Sequence, residues 1–117
     1  MTTHRMRLDA GPFAAVRSGA KKYEIRLYDD KRHALIVGDT VIFWNKDAPQ
    51  EEIAVAVTEV VVRPSFVELF RVVAPGSCGW PVGTSPEQAA VDMRKYYSVA
   101  DEDRWGAVAV KLGVAKS

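Results

Sequence analysis

The sequence predicts an α+β domain in which a small mixed or antiparallel sheet curls toward a barrel. Two observations carry this reading. The apolar periodicities run in the order helix, strands, two helices, strand, without the alternation that builds a parallel βαβ sheet. One β-branched run, "IAVAVTEVVVRP" at 53–64, is long enough to bend, and with so few strands a curled sheet removes exposed edges.

The elements follow in order. "PFAAVRSG" predicts a first helix, because Pro12 suits a first helical position, where its missing N–H costs nothing, and Gly19 supplies a stop. "KYEIRLY" then alternates with the period of a strand: Tyr23, Ile25 and Leu27 fall on one side, Lys22, Glu24, Arg26 and Tyr28 on the other. "YDDKRHAL" reads as a polar loop. Gly38 and Asp39 turn the chain into an apolar strand from Val41 through Trp44, and "NKDAPQEE" reads as a hairpin connection to the long run. Pro64 closes that run because it cannot donate to a ladder. Ser65 with Glu68 three residues on has the form of a capping box and opens a second helix through Val73. "APGSCGWPVGTS" is a Gly- and Pro-rich loop. Ser85, Pro86 and Gln88 repeat the start signal and open a third helix through Tyr97. "SVADEDRWG" supplies a helical turn, and "AVAVKLGV" reads as the closing strand.

A length of 117 residues with 48% hydrophobic residues predicts one globular domain over 1–117. The net charge of +1 excludes a basic character of the whole chain. Its distribution is uneven: residues 1–33 hold eight Lys or Arg against four Asp or Glu, and the remainder holds eight against eleven. That asymmetry predicts a basic patch from the first third, suited to an anion or a nucleic-acid backbone. The N-terminus has no long apolar stretch and no eighteen apolar residues run together, so a soluble cytoplasmic chain without membrane contact is expected. Cys78 is the one cysteine, and with two histidines it gives no zinc spacing, so neither a disulfide, a metal nor a cofactor is expected.

The chemistry concentrates on the polar face of "KKYEIRLY". Unlike charges on a solvent-facing strand are common and contribute little. Lys21 and Lys22 follow Gly19 at the mouth of the strand, where amines can meet a phosphate, while Glu24 and Arg26 lie a step further in. Among the aromatic residues, Trp44 before Asn45 at a strand end and Tyr96 and Tyr97 at a helix end are candidates for a wall on which bases stack, with Tyr28 on the strand's polar face. Arg94 and Lys95 extend a basic rim, although a helix C-terminal turn attracts cations for dipole reasons alone. Trp105 before Gly106 reads as core, Cys78 as a bystander thiol and His33 as a loop histidine.

The stretch "SGAKKYEIRLYDDKRHALIVGDTVIFWN" resembles the signature of ASCH domains, Gly-x-Lys-x-x-Glu-x-Arg followed by a Gly-Asp turn into a strand; Gly19, Lys21, Glu24 and Arg26 fill it in order. "DMRKYYS" and "RWGAVAVKL" are similar to the aromatic-ended helix and final strand of small prokaryotic members, so the resemblance covers nearly the whole chain. It implies a PUA-like small β-barrel with surrounding helices and a cleft lined by the motif. It also implies single-stranded RNA or a modified nucleoside as partner, and in some members ribonuclease activity. Metal-independent RNA cleavage needs a base for the 2′-hydroxyl, an acid for the leaving oxygen and a cation for charge on phosphorus, types that Glu24, Lys21 and Arg26 supply. The same trio equally makes a binding pocket without turnover. Another branch, an amidohydrolase of N4-acetylcytidine, carries Gly-x-Lys-x-x-Thr-x-Arg; Lys21 and Arg26 match it, but Glu24 stands at the threonine position, and a carboxylate does not replace an alkoxide nucleophile.

Overall fold

The computed structural model describes residues 1–116. Strands β1 (Thr3–Leu8), β2 (Tyr23–Leu27), β3 (Thr40–Asn45), β4 (Ala48–Arg63) and β5 (Ala107–Lys116) form one sheet in the order β1-β3-β4-β5-β2. β1 and β3 run parallel and the other pairs antiparallel, so the sheet is mixed. β4 is 16 residues long and changes partner along its length, pairing first with β3 and then with β5. Its register against β5 shifts between Val55 and Val57 and again between Val57 and Glu59. Such irregularities bend a strand and raise its twist, and here they curl the sheet into a half-barrel. The barrel stays open along one seam. β1 and β2 are the two edges, and the Arg26 guanidinium spans from β2 to the Arg7 carbonyl of β1 at 2.8 Å.

Helices α1 (Ala10–Ser18), α2 (Asp30–His33), α3 (Phe66–Val72), α4 (Pro86–Asp92) and α5 (Val99–Trp105) surround the sheet. Three helices are capped by serine hydroxyls: Ser65, Ser85 and Ser98 accept from the N–H groups of Glu68, Gln88 and Asp101 at 3.2, 3.1 and 3.1 Å. Two cores result. Met6, Leu8, Phe13, Val16, Val41, Phe43, Val55 and Val57 fill the inside of the curl, and Ile25, Leu27, Phe66, Leu69, Phe70 and Met93 pack outside it under α3 and α4. β5 is the shared wall, sending Val108 and Val110 inward and Ala107 and Ala109 outward. Each Val, Leu or Phe so buried stabilises by about 1.5–3 kcal/mol. Gly106 enters β5 at φ 75°, and a Cβ there would stand 2.9 Å from the Arg63 carbonyl, so a side chain cannot fit.

Several sequence expectations shift. The first element is a strand, β1, whose alternation rests on only two apolar residues, Met6 and Leu8, among charged ones. α1 begins at Ala10, so Pro12 lies inside the first turn, where the N–H is still unneeded. The hairpin turn is only Lys46 and Asp47, since Asn45 pairs with Ala48 and its side chain accepts the Asp47 N–H at 3.0 Å. The polar loop contains α2, capped by the Asp29 carboxylate. The third helix stops at Asp92 and tightens into a 3₁₀ turn over Met93–Lys95, and another such turn over Pro75–Cys78 interrupts the Gly- and Pro-rich loop. Among the described residues, no helix is long and apolar enough to cross a membrane.

Candidate functional site

The site begins where α1 ends. Gly19 adopts φ 83° and releases the chain toward β2, with the Lys21 N–H donating to Ala15 O at 3.0 Å and the Lys22 N–H to Ser77 O at 2.8 Å. In the β2–β5 register Glu24 faces Val110 and Arg26 faces Val108, so both point into the curl, while Ile25 and Leu27 serve the outer core. The face that looks like a solvent face in the sequence is therefore the lip of the half-barrel interior. Glu24 is only 3% exposed. Its Oε1 lies 2.6 Å from the Lys21 ammonium, and its Oε2 accepts from Arg26 Nε at 2.5 Å.

Burial pushes the Glu24 carboxyl upward, but Lys21 and Arg26 together outweigh it and hold the group below its usual range. Burial likewise opposes the charge on Arg26, which Glu24 more than restores, with a smaller contribution from the Tyr97 phenol. The Lys21 ammonium engages Oε1 by charge and by hydrogen bond, and Arg26 engages Oε2, so each carboxylate oxygen has one protein partner and one lone pair left. Glu24 is thus an ionised acceptor with lone pairs to spare, and a carboxylate held below its usual range is a weaker proton abstractor than a free one. Burial pushes the nearby Cys78 thiol up to about 12, and it donates weakly to Ala74 O at 3.5 Å. Cys78 is a packing residue, not a nucleophile.

These groups open into a cleft of about 1210 Å³ lying along the unpaired seam. Nucleotide-sized ligands occupy pockets of this order. Its lining carries seven cations, Arg5, Arg7, Lys21, Arg26, Lys31, Arg32 and Lys95, against the acids Asp9, Glu24 and Asp92. All but Lys95 come from the first third of the chain, where the charge asymmetry lies. Trp44, Trp80, Tyr96 and Tyr97 supply aromatic surface. No serine or threonine is among the described residues that line it.

The structure brings Lys21, Glu24, Arg26, Trp44, Tyr96 and Tyr97 together in this cleft and leaves four other sequence candidates outside it. Lys22 is exposed beyond the seam. Tyr28 stacks on His33 with centroids 3.8 Å apart and packs on the inner core. Asn45 is consumed by the hairpin, donating to Glu51 at 2.9 Å. Arg94 pairs with Glu102, which also caps the first N–H of α3 through Phe66 at 2.6 Å. Arg7, Lys31, Arg32 and Trp80 were not singled out from the sequence; the signal for Arg7 was the Met6 and Leu8 alternation that places its strand. Among the described residues no three His, Cys, Asp or Glu side chains are placed to hold a metal ion.

Comparison with known proteins fits this geometry. A family model described as ASCH domain matches residues 6–114. The chain is similar to the crystal structure of hypothetical protein PH0355, with a TM-score of 0.82 at 28% identity over 97% of this chain and 98% of that one. It is also similar to the solution structure of protein PF0455 from Pyrococcus furiosus, with a TM-score of 0.71 at 25% identity over 95% and 96%. A third structure, ASCH from Zymomonas mobilis, shares the fold with a TM-score of 0.65 at 14% identity, over 94% of this chain and 66% of that one. No curated protein matches.

Proposed function

Since this chain belongs to the ASCH domain family, a PUA-like family associated with RNA binding, we propose that its cleft binds single-stranded RNA, with Lys21, Glu24 and Arg26 holding one nucleotide. The observation that carries the reading is the Glu24 carboxylate: 3% exposed, paired with a cation at each oxygen, and still holding a spare lone pair on each inside a basic, aromatic-walled cleft. Such an oxygen is matched by an N–H of a base or a ribose hydroxyl, while Arg26 and Lys21 keep the carboxylate charged. Trp44, Tyr96 and Tyr97 offer stacking surface. Binding without turnover is favoured over cleavage, because the acidic Glu24 is a weak general base and neither cation is free to act as an acid. The same arrangement offers no activated nucleophile for amide hydrolysis.

Fluorescence anisotropy of a labelled single-stranded RNA tests this. Affinity is expected to fall as salt rises, with a slope set by a few phosphates, and Lys21→Ala is expected to weaken it about tenfold. Absent or salt-independent binding would overturn the reading. The RNA is expected to stay intact in EDTA, and N4-acetylcytidine to be recovered unchanged by chromatography. Cleavage that Lys21→Ala abolishes would replace binding with a metal-independent ribonuclease.

A further inference from the structure

We infer that Arg32, with Lys31 adjacent to it in the chain, forms a separate phosphate-binding subsite at the α2 end of the cleft, taking the backbone phosphate that adjoins the nucleotide held at Glu24. The inference rests on the reading of the cleft as an RNA site and adds to it a second position. Its origin is a contrast between two arginines of the same lining. Arg26 spends its donors inside the protein, on Glu24 and on the Arg7 carbonyl. Arg32 spends almost none. Its side chain is only 14% exposed; among the described residues its buried Nε has no hydrogen-bond partner and its single ion pair reaches Asp29 Oδ1 at 3.7 Å, beyond hydrogen-bond distance. That Asp29 oxygen is already engaged in capping α2, accepting the Arg32 N–H at 3.3 Å.

A guanidinium carries five N–H donors in a rigid fork, and burying it with so little compensation is unfavourable unless an anion completes it. The fork fits a phosphate bidentately. Two further cations of the same lining, Lys31 and Arg7, have no carboxylate within 4 Å among the described residues, so the lining holds other unpaired positive charge as well. The chain order sets the placement. β2 runs antiparallel to β1 across the seam, and α2 follows β2 directly, so the cations succeed one another from Lys21 through Arg26 to Arg32 along the groove. A nucleotide chain lying in that groove meets Glu24 with one unit and Arg32 with a neighbouring phosphate.

The first test uses no nucleic acid. Titration of inorganic phosphate into the protein, followed by the arginine Nε–H resonances in ¹⁵N-resolved spectra, is expected to shift the Arg32 signal saturably while the already bonded Arg26 signal stays in place. An unmoved Arg32 signal, or an equal shift of every arginine, overturns the subsite whatever RNA does. The second test compares the wild type with Arg32→Gln and Arg32→Lys on the same labelled RNA. Arg32→Gln is expected to weaken binding about tenfold and to lower the salt slope by about one, and Arg32→Lys to restore the slope but only part of the affinity. An unchanged slope in Arg32→Gln also overturns it. If the wild type binds no RNA, the proposed function fails and the phosphate titration alone decides the subsite.

Discussion

Two buried carboxylates, Asp39 in the turn that opens β3 and Glu24 at the seam, are almost equally hidden, at 0% and 3% exposure, and they are treated in opposite ways. Asp39 is satisfied mostly by main chain. Its Oδ1 accepts the Thr2 N–H at 3.0 Å, and its Oδ2 accepts the Ile36 N–H at 3.2 Å and faces His4 Nε2 at 2.8 Å. Glu24 is held by two long side chains, Lys21 on Oε1 and Arg26 on Oε2, and by no backbone donor among the described residues. The Gly-Asp turn and the Lys-Glu-Arg stretch belong to one sequence signature, yet the first ties the N-terminal strand to the sheet and the second faces a void. Backbone donors fix a carboxylate for stability; side-chain cations hold one in readiness for a ligand.

The comparison can be broken, beginning with the largest effect. Asp39→Ala leaves the Thr2 and Ile36 donors without their acceptor and should lower the melting temperature by roughly 10 °C or more, well beyond any change at Glu24. An equal or larger loss in Glu24→Gln would erase the distinction. The Thr2 N–H, His4 and the Ile36 N–H, against some burial, hold Asp39 down to about 2 from 3.8. Its contribution to stability is therefore complete above the ordinary carboxylate range and lost as pH falls toward about 2. Urea unfolding as a function of pH should show a steep acid limb that flattens in Asp39→Asn. Glu24→Gln should cost only about 1–2 kcal/mol, because the amide oxygen of the isosteric glutamine still accepts from one of the two cations. It sharpens the comparison in another way. Removing a negative charge would tighten purely electrostatic RNA binding, whereas loss of a base acceptor weakens it, and a weakening of about fivefold is expected by anisotropy. Arg94→Ala should cost about 1 kcal/mol or less in denaturant unfolding, since its pair with Glu102 is partly exposed, and should leave RNA affinity unchanged. Lys22→Ala should alter neither.

Much of this was legible in the sequence, for reasons that differ by residue. The capping serines, the stop at Gly19 and the bent run of β-branched residues are local rules, and local rules survive folding. β1 was hidden because four of its six residues are polar or charged, so Met6 and Leu8 carried the whole signal. Glu24 and Arg26 were readable as sharing a face, but whether that face met solvent or the interior depends on the pairing of β2 with β5, a partner more than eighty residues away in the chain. Arg94 reads as a rim cation at a helix end and Asn45 as a binding residue beside Trp44 at a strand end. Their actual partners, Glu102 and Glu51, are set by tertiary packing and by the hairpin, which no periodicity reports. Arg32 was passed over for the same reason in reverse, since a shortage of partners is visible only in three dimensions.

The single stitch from Arg26 to the Arg7 carbonyl has a consequence outside the cleft. A strand margin whose amides and carbonyls lack a ladder invites another chain to add itself there. By engaging one of those carbonyls, Arg26 should make that margin less open to such addition. Its replacement by alanine should register in light scattering as concentration-dependent association, a cost separate from any lost affinity.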